Sequence, residues 1–188
     1  MKVLIGEDES LIRLDLRGML ERAGFDVVAE AHDGAEAVEL ARSEEPDLAI
    51  MDVKMPQLDG IEAARRILAE RPIPVVIVSA YTEELLVTRA AEAGVFAYLA
   101  KPFREEDLMP AIATARARFS ELAAVREEVD SLADALAARK AIERAKGILM
   151  QKNGLSEDAA FARLRKASQT SGRPMRVIAE AVIDAFST

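Results

Sequence analysis

The chain contains no cysteine and no tryptophan, and aromatic residues make up only 4% of its 188 residues. Without cysteine it can have no disulfide framework, no thiolate metal site and no cysteine nucleophile. The opening MKVLIGEDES lacks the basic and then apolar pattern of a signal peptide. No apolar run approaches the roughly 18 residues that a membrane-spanning helix needs. We therefore expect a globular, cytoplasmic protein with no contact to a membrane.

Positive charge is also scarce, since 25 Lys and Arg residues stand against 33 Asp and Glu residues, for a net charge of −8. An acidic average argues against nucleic acid as a partner, because contacts to phosphate dominate such binding. The charge is unevenly distributed, however. Residues 1–120 carry −9 and residues 121–138 carry −4, whereas residues 139–188 carry +5. Asymmetry of this kind is a hint of nucleic-acid contact in the basic part.

Short runs rich in Val and Ile recur along the first part of the chain and alternate with helical patterns. Such runs are typical of buried parallel strands. Strict alternation of strands and helices predicts an α/β fold with a doubly wound, five-stranded parallel sheet, whose site lies at the carboxyl ends of the strands. The predicted strands are Val3–Ile5, Val27–Ala29, Leu48–Met51, Val75–Val78 and Ala97–Leu99.

One long linker helix is predicted from Glu105 to Gln151, where Ala, Glu, Arg and Leu dominate and helix breakers are rare. Apolar residues recur within it at the spacing of a coiled-coil seam. The seam is only about two heptads long. A coiled-coil dimer and a monomeric helix that packs on its own domain therefore both stay open. The seam residues are Leu122, Val125, Val129, Leu132 and Leu136.

The basic tail reads as a small three-helix unit whose first helix continues from the linker. Asn153–Gly154 ends that helix, Ser156 caps the next, and the stretch 171–174 separates it from a last helix at about 175–186. We predict three parts: a domain at 1–120, a helical linker at 121–138 and a helical domain at 139–188. The predicted tail core comprises Ile142, Ala145, Leu149, Phe161, Leu164, Val177, Ile178 and Val182.

Polar residues follow four of the predicted strands, all at the same edge of the sheet. Glu7 and Asp8 follow strand one, Asp52 ends strand three, Ser79 ends strand four and Lys101 follows strand five. Clustered carboxylates suit Mg²⁺, and a lysine and a hydroxyl beside them suit an anion at the metal. The arrangement predicts transfer of a phosphoryl group to Asp52. The alternative for any single acid is helix capping, which Asp8 could provide.

These residues, together with the stretch MDVKMPQLDG, Tyr98 and Lys101–Pro102, resemble a response-regulator receiver domain over residues 1–120. Only Glu7, where Asp is commoner, departs from the pattern. The resemblance implies a flavodoxin-like fold, phosphorylation of Asp52 by a histidine kinase and a cis Lys101–Pro102 bond. It also implies Mg²⁺ on Asp8, Asp52, the Lys54 carbonyl and, through water, Glu7. Lys101 would pair with the phosphoryl oxygens, Ser79 would move towards them and Tyr98 would swing inwards.

The stretch Arg139–Ile183, with Ala145–Met150, Ala160–Phe161 and Arg165–Ser168, resembles an ANTAR domain, an RNA-binding antitermination module. The resemblance implies that the tail binds RNA hairpins in nascent transcripts, and that Gly147 allows close approach of helices. Because the tail has only two aromatics, any base stacking should come largely from arginine planes. The candidate RNA contacts are Arg139, Lys146, Arg163, Arg165, Ser168, Arg173 and Arg176.

Together the two resemblances predict a response regulator whose phosphorylation controls RNA binding and transcription antitermination, with a phosphorylation-dependent homodimer as the expected coupling. We expect no turnover of an external substrate. Two alternatives remain open at this stage. One is a helix-turn-helix-like tail that binds DNA, and the other is a phosphoacceptor whose tail binds only protein.

Overall fold

The five predicted strands are present and form one parallel sheet in the order β2-β1-β3-β4-β5. We describe a computed structural model, which covers residues 1–80 and 84–186. Each strand includes its predicted apolar run and extends beyond it by one to three residues. The strands are β1 (Lys2–Gly6), β2 (Asp26–Ala31), β3 (Leu48–Asp52), β4 (Val75–Ser79) and β5 (Ala97–Ala100).

Helices alternate with the strands, and the described residues contain seven of them. The predicted linker helix is confirmed as α5, which runs slightly further than expected. The predicted caps are also confirmed, since Ser156 accepts a hydrogen bond from the Ala159 N–H and Gly172 ends α6 with φ +67°. The helices are α1 (Ser10–Arg22), α2 (Gly34–Glu44), α3 (Gly60–Glu70), α4 (Glu84–Glu92), α5 (Glu105–Asn153), α6 (Glu157–Ser171) and α7 (Met175–Phe186).

The sheet is buried on both faces, which explains why its strands read as continuous apolar runs. One face packs on a core with α2 and α3, where Ala37, Ala64 and Ile67 lie. The other face packs on a core with α1 and the start of α5, where Leu16, Leu20 and Leu108 lie. The predicted doubly wound α/β fold is confirmed.

Strand order reverses between β1 and β3, because β1 leads outward to β2 while β3 leads to β4 and β5 on the other side. In sheets of this kind the reversal leaves a crevice at the carboxyl ends of the strands. Glu7, Asp8 and Asp52 come from the two strands that border it.

The chain divides into two compact units, Met1–Ala123 and Ala124–Thr188. The predicted boundaries at 120 and 138 stay predictions. In the second unit, which we call the output unit, the buried apolar residues of the described chain are small or medium-sized: Ala145, Leu149, Ala160, Leu164 and Ala179. Within the described ranges, no helix combines the length and the apolar character that crossing a bilayer requires.

Candidate functional site

Three carboxylates meet at the crevice between β1 and β3. Glu7 is 0% exposed and Asp52 is 7% exposed, while Asp8 is open to solvent. Each offers one carboxylate oxygen, and these oxygens lie within 4.8 Å of one another. Hard oxygen donors at such separations are the ligands that Mg²⁺ prefers, so this donor set fits that ion.

Lys101 closes the cluster from the side of β5. Its Nζ donates to Glu7 Oε2 at 2.6 Å and lies 3.0 Å from Asp52 Oδ2. Its backbone N–H donates to the Ser79 carbonyl at 2.7 Å, which fixes the backbone of this residue. The Lys101–Pro102 bond is cis, as the receiver resemblance implies. A cation is therefore fixed between two acidic side chains from different strands.

Burial and charge shift the pKa of two groups of the cluster, Glu7 and Lys101. Burial raises the pKa of the Glu7 carboxyl, against the opposing effect of the hydrogen bond from Lys101. Burial also acts on Lys101 and lowers its pKa, but hydrogen bonds to Glu7 and Asp52 outweigh it, so that the pKa of the ammonium is raised. Lys101 is thus a cation throughout the physiological pH range.

Backbone N–H groups fix the Asp52 side chain and the loop that follows it. The Val53 N–H donates to Asp52 Oδ1 at 2.7 Å, and the Gly60 N–H donates to the Val53 carbonyl at 2.9 Å. A Cβ at Gly60 would lie 1.8 Å from the Asp52 carbonyl oxygen. Glycine is therefore required at position 60 because two backbone segments approach each other closely there. The φ of Gly60 is not positive, so its backbone conformation does not itself require glycine.

Helix capping does not explain Asp8. The N-cap of α1 is Glu9, with no side-chain cap hydrogen bond. Instead, Arg13 in the first turn of α1 donates from Nη1 to the Glu7 carbonyl at 2.6 Å and fixes the backbone that carries the acid pair. Sequence reasoning missed Arg13, although a basic residue in the helical turn after the acidic pair is a usable signal.

Ser79 and Tyr98 lie where the receiver pattern predicts them. Ser79 ends β4 and is 1% exposed, and neither Ser79 nor Tyr98 is without a partner. Tyr98 is on β5, is half-buried, and packs against the core that includes Ile77 and Ala90. Their roles in switching stay predictions.

The loop after β3 is fastened to the loop after β2. Gln57, which has a left-handed φ of +62°, donates from Nε2 to Asp33 Oδ2 at 2.8 Å, and Asp33 caps α2. Lys54, two residues after Asp52, lines the same groove as Asp8. The structure thus brings the predicted Lys54 position beside the carboxylates. Sequence reasoning missed the Gln57 contact, because a side chain between two loops has no periodic signal.

In the output unit Lys146 is not a free surface cation. It is 8% exposed, and its Nζ donates to Glu157 at 2.6 Å and to Glu143 at 3.0 and 3.1 Å. The hydrogen bond to Glu157, followed by that to Glu143, raises the pKa of Lys146. This network, which we call the lysine bridge, joins α5 to α6.

Two further candidates for RNA contact are engaged within the protein. Ser168 donates to the Arg173 carbonyl at 2.6 Å across the turn between α6 and α7. Arg176 pairs with Glu180 at 2.8 Å and with Asp134 at 3.0 Å.

The remaining candidates are exposed, and within residues 1–80 and 84–186 their side chains enter no hydrogen bond or ion pair. They are Arg139, Arg163, Arg165 and Arg173.

Three expectations for the tail were wrong. Phe161 and Val177 were predicted in its core but are 41% and 40% exposed and lie outside the apolar cluster. Gly147 was expected to allow close helix approach, but a Cβ built there meets nothing within 4 Å in the described chain. The core contacts go instead to smaller neighbours, chiefly Ala145 and Ala160.

A five-stranded parallel sheet with carboxylates at β1 and β3 and a lysine after β5 defines the class of response-regulator receivers. Comparison with known families agrees: the response regulator receiver domain matches residues 3–113, and the ANTAR domain matches residues 130–183. The chain belongs to the response regulators, with an N-terminal receiver and an ANTAR output.

A relative that matches this chain over its length is the transcriptional regulatory protein PdtaR of Mycobacterium tuberculosis (strain H37Rv). It is 48% identical over 187 residues, which cover 100% of this chain and 91% of PdtaR. The chemotaxis protein CheY of Bacillus subtilis is 36% identical over 112 residues, covering 59% of this chain and 93% of CheY.

Solved structures resemble the receiver part. The signal receiver domain of a modulated diguanylate cyclase from Desulfovibrio desulfuricans G20 is similar with a TM-score of 0.59 and 34% identity, over 63% of this chain and 95% of that one. The CheY of a CheX-CheY-BeF3-Mg complex from Borrelia burgdorferi gives a TM-score of 0.58 and 26% identity, over 60% and 86%.

Proposed function

We propose that a sensor histidine kinase phosphorylates Asp52, and that phosphorylation controls gene expression through binding of RNA hairpins and transcription antitermination. The observation that carries the first half is the position of Lys101 Nζ, 2.6 Å from Glu7 and 3.0 Å from Asp52. Asp52 is thereby presented as a carboxylate beside a fixed cation. Membership of the response regulators supports the same role.

Phosphorylation is a transfer between a histidine nitrogen and a carboxylate oxygen. An Asp52 oxygen attacks the phosphorus of the kinase phosphohistidine, the P–N bond breaks, and the imidazole nitrogen leaves with the electron pair. The product is an acyl phosphate on Asp52. The Lys101 ammonium then pairs with phosphoryl oxygens, the Ser79 hydroxyl donates to one of them, and Tyr98 moves inwards behind it. Hydrolysis by water restores Asp52, and no external substrate is turned over.

A magnesium ion would be held by Asp8, Asp52, the backbone carbonyl of Lys54 and, through water, Glu7. The cluster of three carboxylates supports this set. When bound, Mg²⁺ neutralises charge on the transferring phosphoryl group. The Borrelia burgdorferi complex named above contains Mg with a CheY of the same fold.

For the output, we propose that residues 139–188 form the RNA-binding domain and residues 121–138 a helical linker. The ANTAR match and the net charge of +5 support RNA as the ligand. Exposed arginines without internal partners are suited to phosphate contacts. On these grounds Arg139, Arg163, Arg165 and Arg173 are stronger candidates than Lys146, Ser168 and Arg176, whose polar groups are already engaged.

Coupling between the two parts is proposed to run through a phosphorylation-dependent homodimer. The seam residues Leu122, Val125, Val129, Leu132 and Leu136 are 39–64% exposed in the single chain. Their exposure and spacing support a second chain as the partner of this seam. Two linked tails would bind two hairpins with raised avidity. Light scattering with and without acetyl phosphate measures this: the mass should double, and a constant monomer mass would contradict the coupling.

Crosslinking to cellular RNA with and without acetyl phosphate, followed by sequencing, tests the output. Recovery of hairpins ahead of terminators from wild type, and not from Asp52→Asn, is the expected result. Nascent transcripts as the target imply the cytoplasm as the working compartment.

Competition between duplex DNA and hairpin RNA for the protein distinguishes the helix-turn-helix-like, DNA-binding alternative from the proposed RNA binding. If charge reversal at Arg165 and Arg176 leaves nucleic-acid binding unaffected because there is none, the tail contacts protein only and the RNA proposal fails.

A further inference from the structure

The connection between β3 and α3, residues 53–59, begins directly after Asp52, and we call it the β3–α3 loop. Its two ends are joined, because the Gly60 N–H donates to the Val53 carbonyl at 2.9 Å. The loop carries Lys54, whose backbone carbonyl belongs to the proposed magnesium site. The conformation of the loop therefore decides where that carbonyl lies.

The middle of the β3–α3 loop is supported by the start of α2 at two points. Gln57 Nε2 donates to Asp33 Oδ2 at 2.8 Å. Asp33 is itself 7% exposed and held, since its other carboxylate oxygen accepts from the Glu36 N–H at 2.8 Å. The second point is a backbone contact, because a Cβ at Gly34 would lie 2.2 Å from the Leu58 carbonyl oxygen. The loop thus rests on a fixed, buried surface.

Gln57 adopts a backbone conformation that does not suit a residue with a Cβ. Its φ is +62°, in the left-handed region that such residues rarely occupy. Glycine would adopt this φ without steric cost, but glycine has no side chain that could donate to Asp33. The contribution of glutamine at this position is therefore its hydrogen bond.

A short, stiff stretch connects Gln57 to Lys54. Only Met55 and Pro56 lie between them. The proline ring fixes the φ of Pro56 and restricts Met55, the residue before it, to extended conformations. The Met55 side chain also packs against the core between the sheet and α2 and α3. A shift of Gln57 is therefore passed on to the Lys54 backbone instead of being absorbed on the way.

We propose that Gln57 and Asp33 are positioning residues for the magnesium site. Their hydrogen bond holds the Lys54 carbonyl in its binding position before the ion arrives, and neither side chain contacts the ion. The bond raises the fraction of molecules whose loop is ready to bind, and the apparent affinity is proportional to that fraction. The proposal rests on the proposed magnesium site and extends its support to the start of α2.

Isothermal titration calorimetry with Mg²⁺ alone on the full-length, unphosphorylated chain tests the role of Gln57. Methionine has the length of glutamine without its donor, so Gln57→Met removes the hydrogen bond and leaves the backbone requirement unchanged. This variant should bind Mg²⁺ about 10-fold more weakly than wild type, the lower end of what loss of a supporting contact costs a metal site. Gln169→Met, at an exposed position on α6, is the matched control and should bind like wild type.

Two substitutions of Asp33 separate positioning from helix capping. Asparagine and serine both cap helices about as well as aspartate, so α2 keeps its start in either variant. In Asp33→Asn the Gln57 amide rotates and accepts from the new amide, and Mg²⁺ affinity should stay at the wild-type value. Asp33→Ser uses its one hydroxyl for the cap and should lose about 10-fold. Combining Asp33→Ser with Gln57→Met should add no further loss, because both remove the same bond.

Amide hydrogen exchange in magnesium-free protein gives a readout that does not depend on the ion. Because the hydrogen bond holds the loop before binding, backbone amides of the β3–α3 loop should exchange faster in Gln57→Met than in wild type. Amides of α3 should exchange at the wild-type rate, since local opening of the loop leaves that helix folded.

Three results would overturn the proposal. If Gln57→Met binds Mg²⁺ as tightly as wild type, or its loop amides exchange no faster, positioning by Gln57 is refuted while the magnesium site stands. If exchange accelerates equally in the loop and in α3, Gln57 serves the stability of the whole receiver and not the site. If wild type binds no Mg²⁺, the proposed magnesium site fails as well.

Discussion

Replacement of Lys101 by methionine should strengthen magnesium binding. Lys101 Nζ lies 2.6 and 3.0 Å from oxygens of Glu7 and Asp52. Magnesium binds carboxylate oxygen at about 2.1 Å, so the ammonium begins no more than about 5 Å from an ion on Asp52 Oδ2. At an effective dielectric constant of about 20, Coulomb's law gives a repulsion of about 7 kcal/mol. If rotation of the lysine and screening leave a quarter of it, removal of the charge is worth about 10-fold in affinity.

Isothermal titration calorimetry with Mg²⁺ alone measures this effect on the full-length chain. Lys101→Met should bind Mg²⁺ at least about 10-fold more tightly than wild type. Lys2→Met is the matched control, because Lys2 is exposed at the opposite end of β1 and should leave the affinity unchanged. Equal or weaker binding by Lys101→Met would refute the assignment of one shared site to the lysine and the ion.

Two glycine substitutions should act in opposite directions. Gly60→Ala puts a Cβ 1.8 Å from the Asp52 carbonyl and should lower the receiver's thermal midpoint; an unchanged midpoint in calorimetry contradicts the close approach. Gly147→Ala meets nothing within 4 Å and should stabilise α5 by about 1 kcal/mol, with faster amide exchange as the contrary result. Arg65 and Arg66 lower the pKa of Glu62 to about 2. The ionised Glu62 carboxylate therefore stabilises the folded receiver at pH values above 4.5, the ordinary pKa of this group. The urea midpoint of wild type should exceed that of Glu62→Gln at about pH 5, and this difference should vanish as the pH falls to about 2. A difference that stays constant over this pH range would be inconsistent with the ion pairs.

The carboxylate cluster could be predicted from the sequence because one physical rule assembles it. The carboxyl ends of parallel strands share an edge of the sheet, so Glu7, Asp52, Ser79 and Lys101 had to lie near one another once their strands were identified. Arg13 and Gln57 were missed because each makes a single contact to a loop, which produces no repeating pattern in the sequence.

In the tail, the helix ends could be predicted from the sequence but the core could not. Its helix ends followed from local chemistry, as at Ser156 and Gly172, but its core did not. An apolar residue enters the core only if the rotation of its helix about its axis turns it inwards, and neighbouring helices set that rotation. With Ala160 and Leu164 turned inwards, Phe161 is rotated outwards. The ANTAR resemblance predicts Lys146 as an RNA contact, whereas its ion-pair partner Glu157 belongs to a different helix and could not be identified from the sequence.

The most direct test of the central claim is the affinity of hairpin RNA for wild type and for Asp52→Asn, each with and without acetyl phosphate in the presence of Mg²⁺. The account predicts that the phosphoryl donor strengthens binding by wild type and leaves Asp52→Asn unchanged at the weaker value. Equal affinity in all four conditions would contradict control of the output by Asp52.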